Sequence, residues 1–447
     1  MAAKRSTAKR SKRTHTRTNA RSNPQAALSR SILKELATPR ALRGPSVNVA
    51  RDILEYDPLD PQSRSLLATR ALPRPITPVF KKGERYAPVP APVHGPSEPN
   101  APMPKADVLI VTWTVAEAEA LAAVMTPGHS FRNWHAYRKG WASLAPYLGM
   151  PARASKQLAC YALATVGNTR VLCVKSQLHM SQDKRMGTAA HPIPPVLKLW
   201  QQMISDARPA LVITTGTAGG IGPSERLGDT VVSQVVRFDC KKKYKALNRG
   251  SNLDPYYCAK ALNVQKLATL AQPRMKINAD ELPKGSSQPK IIAVPNQVSD
   301  RNKGIVTTDF FDFDYSKPAS GPPSDLTGLG SAVEMGDAVL GLLQRPPIWV
   351  AVRNASDPQM DGKLPPAQRV RAAAAIYQKY GYWTTICSAI ACWAIVVSNM
   401  QGRTVGRAGT RKKGAYKARG PRARARTPRP KKPASKRRAG GRQKGHR

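Results

Sequence analysis

Segments rich in apolar, β-branched residues alternate with segments typical of helices through the middle of this chain. The strand-like segments are residues 106–114, 170–177, 210–215, 228–239, 290–295, 304–314 and 348–354. The helix-like segments are 115–125, 196–207, 331–345 and a terminal stretch from 374 to 398. This alternation predicts an α/β fold, namely a three-layer α/β/α sandwich around a mixed central sheet.

Positive charge is concentrated at the two ends of the chain. The formal net charge is +45, and residues 1–45 hold 12 Lys and Arg against a single acid, Glu35. Residues 403–447 hold 19 Lys and Arg and no acid. Blocks of one sign repel themselves and stay disordered, while opposite a polyanion they release counterions. We therefore predict disordered basic termini that contact DNA, RNA or another polyanion, through Lys412, Lys413, Arg422, Arg424, Arg426, Lys431, Lys432, Arg437 and Arg438. A solvated tail that only aids solubility is the alternative.

The distribution of prolines and charges predicts the domain boundaries of the chain. Thirteen prolines lie between positions 45 and 104, which excludes a regular helix or a central strand there. We expect a disordered basic arm at 1–45, a Pro-rich linker or strap at 46–104, one compact domain at 105–402 and a disordered basic tail at 403–447. Residues 241–303 resemble an irregular basic insertion.

Cysteine spacing and hydropathy indicate the cellular location of the protein. The six cysteines form no CxxC pair and no metal-spaced cluster with histidine, so we predict reduced thiols and no metal site. Residues 382–400 approach the length of a membrane span, but polar residues dilute them, and a buried terminal helix is expected instead. The expected location is the cytoplasm, with no membrane partner and with nucleoid association left open.

Three short segments carry chemistry. The first is ALVITTGTAGGIG at 210–222, an apolar strand that runs into a loop whose glycines, among them Gly219 and Gly220, let a ligand approach the backbone. The second is AVEMGDAVLG at 332–341, with Glu334 and Met335 at the mouth of a predicted helix. The third is WVAVRNASDP at 349–358, where Asp357 follows a strand at the edge at which α/β sheets present their sites.

In this order the three segments resemble the nucleoside phosphorylase/nucleosidase superfamily, and specifically the methylthioadenosine/S-adenosylhomocysteine nucleosidase type. The resemblance implies a phosphorylase-like fold, cleavage of an N-glycosidic bond to a purine-type base, and no organic cofactor or metal. Members of that superfamily often form dimers or hexamers, so a homo-oligomer is an open alternative.

The resemblance also implies roles for individual residues. Arg353, Ser356 and Asp357 match an Arg-x-x-Ser-Asp motif whose aspartate protonates the leaving base. A carboxylic acid suits that task because desolvation favours its protonated form. Glu334 and Met335 match a Glu-Met pair that contacts the sugar and the base.

Three further matches are looser. The family usually carries a second Glu after the Met, where this chain has Gly336, so Asp337 substitutes for it or the sugar is modified. Phe311 corresponds to an aromatic residue that stacks on the base. Glu117 corresponds to the glutamate that activates water. Glu117 and Glu119 are two positions apart on a helix, so only one of them can point inward.

Two functions other than hydrolysis of a nucleoside are compatible with the sequence. A phosphorylase would need a glycine-rich anion loop near the third strand, and residues 176–187 contain no glycine before Gly187. Hydrolysis is therefore the prediction, and phosphate-dependent cleavage is the first alternative. The second alternative is a catalytically degenerate protein that associates with nucleic acid.

Overall fold

The computed structural model describes residues 79–91, 98–149, 152–180, 182–221, 226–248, 255–257, 267–276, 288–309, 329–357 and 380–399. Its strands are β1 Val89–Ala91, β2 Val108–Thr112, β3 His135–Tyr137, β4 Ala159–Val166, β5 Thr169–Ser176, β6 Met186–Gly187, β7 Pro192–Ile193, β8 Leu211–Gly220, β9 Thr230–Ser233, β10 Val235–Phe238, β11 Pro255–Tyr257, β12 Ile291–Val294, β13 Ile305–Thr307, β14 Ala332–Glu334 and β15 Trp349–Asp357.

The helices are fewer and differ widely in length. They are α1 Val115–Met125, α2 Trp141–Leu144, α3 Ala152–Ser155, α4 Pro195–Ala207, α5 Leu267–Ala271 and α6 Tyr380–Asn399. Helix α6 is long and apolar enough to cross a membrane, but 89% of its most apolar window is buried inside the protein. The predicted buried terminal helix is therefore present over the residues that the structure describes.

The central sheet is mixed and branches at β8. Strands β2 and β15 lie parallel to β8 on either side of it, and β14 joins the far end of β8 in antiparallel orientation. Strand β15 also pairs with β9, and β10 pairs with β13, which pairs with β14. These pairings bring the carboxyl ends of β8 and β15 to the same edge, whereas β13 and β14 run antiparallel to β8.

Helices cover both faces of this sheet. Alternate residues of a strand point to opposite faces, so Leu109 and Val111 of β2 pack with α4 in one buried cluster. Val108 and Ile110 pack with α1 and α6 in another. The prediction of a three-layer α/β sandwich with a mixed sheet is confirmed.

Part of the Pro-rich segment contributes to this domain. Strand β1 pairs with β4, and the indole N–H of Trp393 on α6 donates to the carbonyl of Tyr86 at 2.8 Å. The guanidinium of Arg274 lies 4.4 Å from the centre of the Trp393 ring. Residues 79–91 are thus strapped to the outer face of α6. The described cysteines, Cys160, Cys173, Cys240, Cys387 and Cys392, are buried and form no disulfide bonds with one another.

Three local predictions are wrong. The glycine segment after residue 215 is not a loop, because β8 continues to Gly220 and pairs there with β14. Residues 228–239 are not one continuous strand. They form two buried strands, β9 and β10, because the hydroxyl of Ser233 hydrogen-bonds both the N–H and the C=O of Val235 and interrupts the ladder.

The third correction concerns residues 331–345, which are not a helix. They form strand β14 and then a 3-10 helix, Asp337–Leu342. Two residues of β14 pair with β8 on one side and three pair with β13 on the other, and this pairing outweighs the helix propensity of the segment. Asp357 is accordingly the last residue of strand β15 and does not follow it.

Candidate functional site

The three predicted segments meet at one glycine. Gly219 near the end of β8 is in register with Val333 of β14 on one side and with Asp357 of β15 on the other. Their backbones therefore converge at the carboxyl edge of β8 and β15, where α/β sheets present their sites. The Asp357 side chain, Phe311 and the basic tail residues lie outside what the structure describes, so their roles stay predictions.

Glu117 points into the protein at this edge. It is buried, whereas Glu119 faces the opposite way and pairs with Ser130 and Arg132 near the surface. One oxygen of Glu117 accepts hydrogen bonds from the backbone N–H groups of Trp113 and Thr114 and from the Thr112 hydroxyl. The hydroxyl of Thr114 accepts from the Glu117 N–H in return, which makes a capping box at the start of α1.

The other oxygen of Glu117 reaches β8. It accepts from the N–H of Thr217 at 2.7 Å and from the Thr217 hydroxyl at 2.8 Å. Gly216 makes this approach possible, because a Cβ there would lie 2.4 Å from the Glu117 carboxyl carbon. Gly216 also has φ +151°, a conformation that other residues rarely adopt. The glycine in this strand is thus needed for the carboxylate beside it.

Arg353 is a buried cation among three buried carboxylates. Its guanidinium donates to both oxygens of Asp337, at 2.8 and 2.5 Å, and to Glu334 at 3.1 Å. Its third nitrogen donates to the carbonyl of Thr217 and lies 3.9 Å from Glu117. The two-pronged bond to Asp337 uses the planar geometry that distinguishes arginine from lysine. We call Glu117, Glu334, Asp337 and Arg353 the ion cluster.

An aromatic side chain covers the guanidinium. The Arg353 carbon lies 4.7 Å from the centre of the Trp113 ring, within the range of a cation–π contact. A Cβ at Gly336 would lie 3.2 Å from the same ring. The position at which the family resemblance implies a second glutamate is therefore closed by an indole. Asp337 is fully buried and engaged with Arg353, so it is not free to take over that glutamate's contacts.

Glu334 holds the turn that follows it. Its one oxygen accepts from the N–H groups of Gly336 and Asp337 at 2.6 and 2.9 Å, and its other oxygen contacts the Thr307 hydroxyl. The hydroxyl of Thr307 in turn accepts from the Ala338 N–H at 2.9 Å. The carboxylate therefore ties β14 to β13 and shapes the start of the 3-10 helix.

The two glutamates of the ion cluster have pKa values displaced in opposite directions. Burial and the neighbouring charge of Asp337 raise the pKa of Glu334 to about 8, against the attraction of Arg353. Burial also opposes ionisation of Glu117, but Arg353 and the backbone donors at Thr114, Thr217 and Trp113 outweigh it and lower the pKa. At neutral pH, Glu117 is an anion and Glu334 is the member of the cluster that holds a proton.

The other predicted residues lie close by. Met335 is buried between β14 and the 3-10 helix, and Gly220 is in register with Ala332. The hydroxyl of Ser356 donates to the carbonyl of Ala218 at 3.3 Å. Within the described ranges, no group of three or more His, Cys, Asp and Glu side chains is arranged to hold a metal ion.

Sequence reasoning missed three residues that contact the ion cluster, Trp113, Thr217 and Thr307. It named Asp337, but as a substitute for a sugar-binding glutamate and not as the partner of Arg353. One signal was available: Thr114 followed three residues later by Glu117 is the pattern of a capping box. It indicates that Glu117 faces its own helix start. The contacts across strands have no comparable signal.

Comparisons with known proteins give a fold likeness. No family model and no curated protein matches the chain. Among solved structures, 5'-methylthioadenosine/S-adenosylhomocysteine nucleosidase from Neisseria meningitidis is 17% identical, with a TM-score of 0.40, and the match covers 65% of this chain and 97% of that chain. The Helicobacter pylori nucleosidase of the same name is 13% identical, with a TM-score of 0.40, covering 66% and 98%.

A third solved structure carries a related name. Futalosine hydrolase of Helicobacter pylori is 12% identical, with a TM-score of 0.39, and the match covers 65% of this chain and 97% of that chain. The first two names are those of the nucleosidase type that the sequence motifs resemble. At these identities and scores the likenesses assign no activity to this chain, which has to be inferred from its own residues.

Proposed function

We propose that this chain cleaves the bond between a purine-type base and its sugar by hydrolysis. The observation that carries the proposal is the convergence of β8, β14 and β15 at Gly219, beside a buried ion cluster whose glutamates have separated pKa values. Glu117, whose pKa is lowered, is the ionised carboxylate that a base step requires. The acid that the motif predicts, Asp357, ends the strand that carries Arg353.

The reaction has two steps, departure of the base and addition of water, and one proton is transferred in each. The protonated carboxyl of Asp357 gives its proton to a ring nitrogen of the base, so that the base leaves as a neutral molecule when the C1'–N bond breaks. Water then adds to C1' of the oxocarbenium-like sugar, and its proton passes to Glu117. A base that must accept this proton has to be ionised, and Arg353 and the backbone donors keep Glu117 so.

Glu117 can act on water only after one of its hydrogen bonds has been exchanged. Four of its five donors are backbone N–H groups or the buried Thr112 hydroxyl. The fifth is the hydroxyl of Thr217, a half-buried residue whose side chain can rotate away. We assign Thr217 as the partner that water replaces.

The experiment is base release from a panel of purine nucleosides, with and without phosphate. Release without phosphate supports hydrolysis, whereas release only in its presence supports the phosphorylase alternative. Asp357→Asn is expected to lower turnover by roughly 10²–10⁴-fold and to leave the melting temperature near that of the wild type. Asp107→Asn, at a partly exposed carboxylate far along the chain, is the matched control and should retain activity. A fully active Asp357→Asn variant would remove Asp357 from the mechanism.

The second candidate function is that of a catalytically degenerate protein that associates with nucleic acid, and one observation favours it. Both oxygens of Glu117 and both of Asp337 are engaged within the protein, and Trp113 covers Arg353. A site whose polar groups are already satisfied suits a fold retained for binding rather than for catalysis. In that case no nucleoside in the panel releases its base under either condition.

We also propose that the basic ends tether the domain to nucleic acid. Residues 1–45 and 403–447 supply most of the net charge of +45 and include none of the described residues. Deleting both ends should weaken binding to duplex DNA and flatten its dependence on salt, while the rate of base release stays unchanged. Retention of the full salt dependence without the ends would contradict the tethering role.

A further inference from the structure

Two neighbouring loops of the folded domain form a basic surface that the proposed function does not use. One loop follows β5 and exposes Lys184 and Arg185. The other follows β10 and exposes Lys241, Lys242 and Lys245. We call residues 182–187 and 239–248 together the basic loop pair.

A buried carboxylate shapes the second loop. One oxygen of Asp309 accepts from the N–H groups of Lys241 and Lys242 at 2.8 and 3.0 Å, and the other accepts from the N–H of Tyr244 at 2.8 Å. Asp309 is only 3% exposed. The lysine run is therefore folded around a buried acid, and its conformation is fixed by the fold rather than left to a flexible chain.

The two loops are also fastened to each other. The ammonium group of Lys243 donates to the backbone carbonyl of Asp183 at 2.8 Å. The Asp183 carboxylate, which is buried, accepts from the N–H groups of Gly149 and His179, both at 2.9 Å. The N–H of Lys184 donates to the carbonyl of Tyr147 at 2.7 Å. These bonds hold the cations of the two loops at fixed positions relative to one another.

The acids in this region lie beneath the surface and the cations lie on it. Asp183, Asp239 and Asp309 are each 3% exposed or less. Asp239 pairs with Lys241 at 2.9 Å, which offsets one of the surface charges. Lys184, Arg185 and Lys245 add exposed positive charge, so the field outside the loop pair is positive.

The second loop of the basic loop pair is linked through Thr308 to Glu334 of the ion cluster. The hydroxyl of Thr308 donates to the carbonyl of Asp239, and its N–H donates to the carbonyl of Glu334. A polymer held on the loops would pass the carboxyl ends of β10 and β13.

We propose that the basic loop pair binds the phosphodiester backbone of a nucleic acid strand. Fixed lysine and arginine charges on two adjacent loops suit a row of phosphates and provide little that reads bases, so the binding is independent of sequence. The strongly basic chain ends favour a long polyanion over a small acidic patch on a protein. The folded domain, and not only its tails, then contributes to the interaction.

The test uses the full chain and a fluorescent 30-base-pair duplex of mixed sequence, with affinity measured over a series of NaCl concentrations. Lys184→Glu with Lys245→Glu changes one exposed lysine in each loop. Lys81→Glu with Lys82→Glu is the matched control, because it makes the same change of charge at exposed lysines outside the loops. The loop variant should lose at least tenfold in affinity, and its slope of log K against log salt should fall by about 2 relative to the control.

Several outcomes overturn the proposal. One is an equal loss in both variants, and another is no loss in either. Displacement of the duplex by millimolar inorganic phosphate at constant ionic strength would identify a free-phosphate site instead. Competition by poly-glutamate as strong as by unlabelled duplex would indicate an acidic protein. If the loop variant melts early, Lys184→Gln with Lys245→Gln replaces it, with about half the change in slope expected.

Discussion

The proton on Glu334 makes the stability of this protein depend on pH in a specific direction. The pKa of Glu334 is about 8 in the folded protein, against 4.5 for an unperturbed glutamate. Between these pH values the folded state binds the proton and the unfolded state does not. Stability rises with pH only where the unfolded state binds more protons, so here the Glu334 contribution to the free energy of unfolding falls as pH rises.

The magnitude follows from the two pKa values. Well inside the window the loss is about 1.4 kcal/mol per pH unit, and it levels off above the folded pKa. Between pH 5 and pH 8 the loss comes to about 3–4 kcal/mol. Glu334→Gln should abolish it, because a glutamine reproduces the protonated carboxyl. Its carbonyl can accept from Gly336, Asp337 and Arg353, and its amide can donate to the Thr307 hydroxyl.

The assay is urea unfolding of the wild type and of Glu334→Gln at each half pH unit from 5 to 8. The difference in free energy of unfolding, variant minus wild type, should grow by about 3–4 kcal/mol in favour of the variant across this range. Taking the difference removes the other titrating groups common to both proteins. Glu98→Gln, at an exposed carboxylate, is the control and should follow the wild type in parallel. A difference that is flat or declines with pH would refute the assignment of the proton to Glu334.

Two other substitutions test the packing around the site. Gly216→Ala should destabilise the fold by about 2–5 kcal/mol in urea unfolding, because its Cβ meets Glu117 at a φ unfavourable for alanine. Gly128→Ala also has positive φ but open space, so a loss as large there would contradict the steric explanation. Trp393→Phe should cost about 1–3 kcal/mol and speed proteolysis within residues 79–91, since it removes the hydrogen bond to Tyr86. Unchanged proteolysis would show that the strap is held elsewhere.

The sequence predicted the parts of the fold that local patterns encode. Strand β2 and the middle of β5 are continuous apolar runs, α1 consists of strong helix formers, and α4 shows helical periodicity. The prediction for residues 331–345 was wrong because the spacing of their apolar residues fits a helix. Strand β14 exists only because β8 and β13 lie beside it, and no pattern within three residues can show that.

The candidate site was predictable to the same extent. Glu117 could be placed inside the protein, since two glutamates two positions apart cannot both face the core, and Thr114 completes a capping box with it. Asp337 could not be assigned to Arg353, because the two residues are 16 positions apart and meet across separate strands and turns. Trp113 likewise reads as a strand residue until Arg353 is seen to lie over its ring.

One arginine accounts for the divergence of the two glutamate pKa values. Three buried carboxylates around a single buried cation cannot all be ionised without excess negative charge in a medium of low dielectric constant. Asp337 takes the two-pronged bond to Arg353, and backbone donors stabilise Glu117, so the proton falls to Glu334, next to Asp337. The cluster therefore keeps an anion at the start of α1, as the proposed water-activating step requires, while its excess charge is neutralised one strand away.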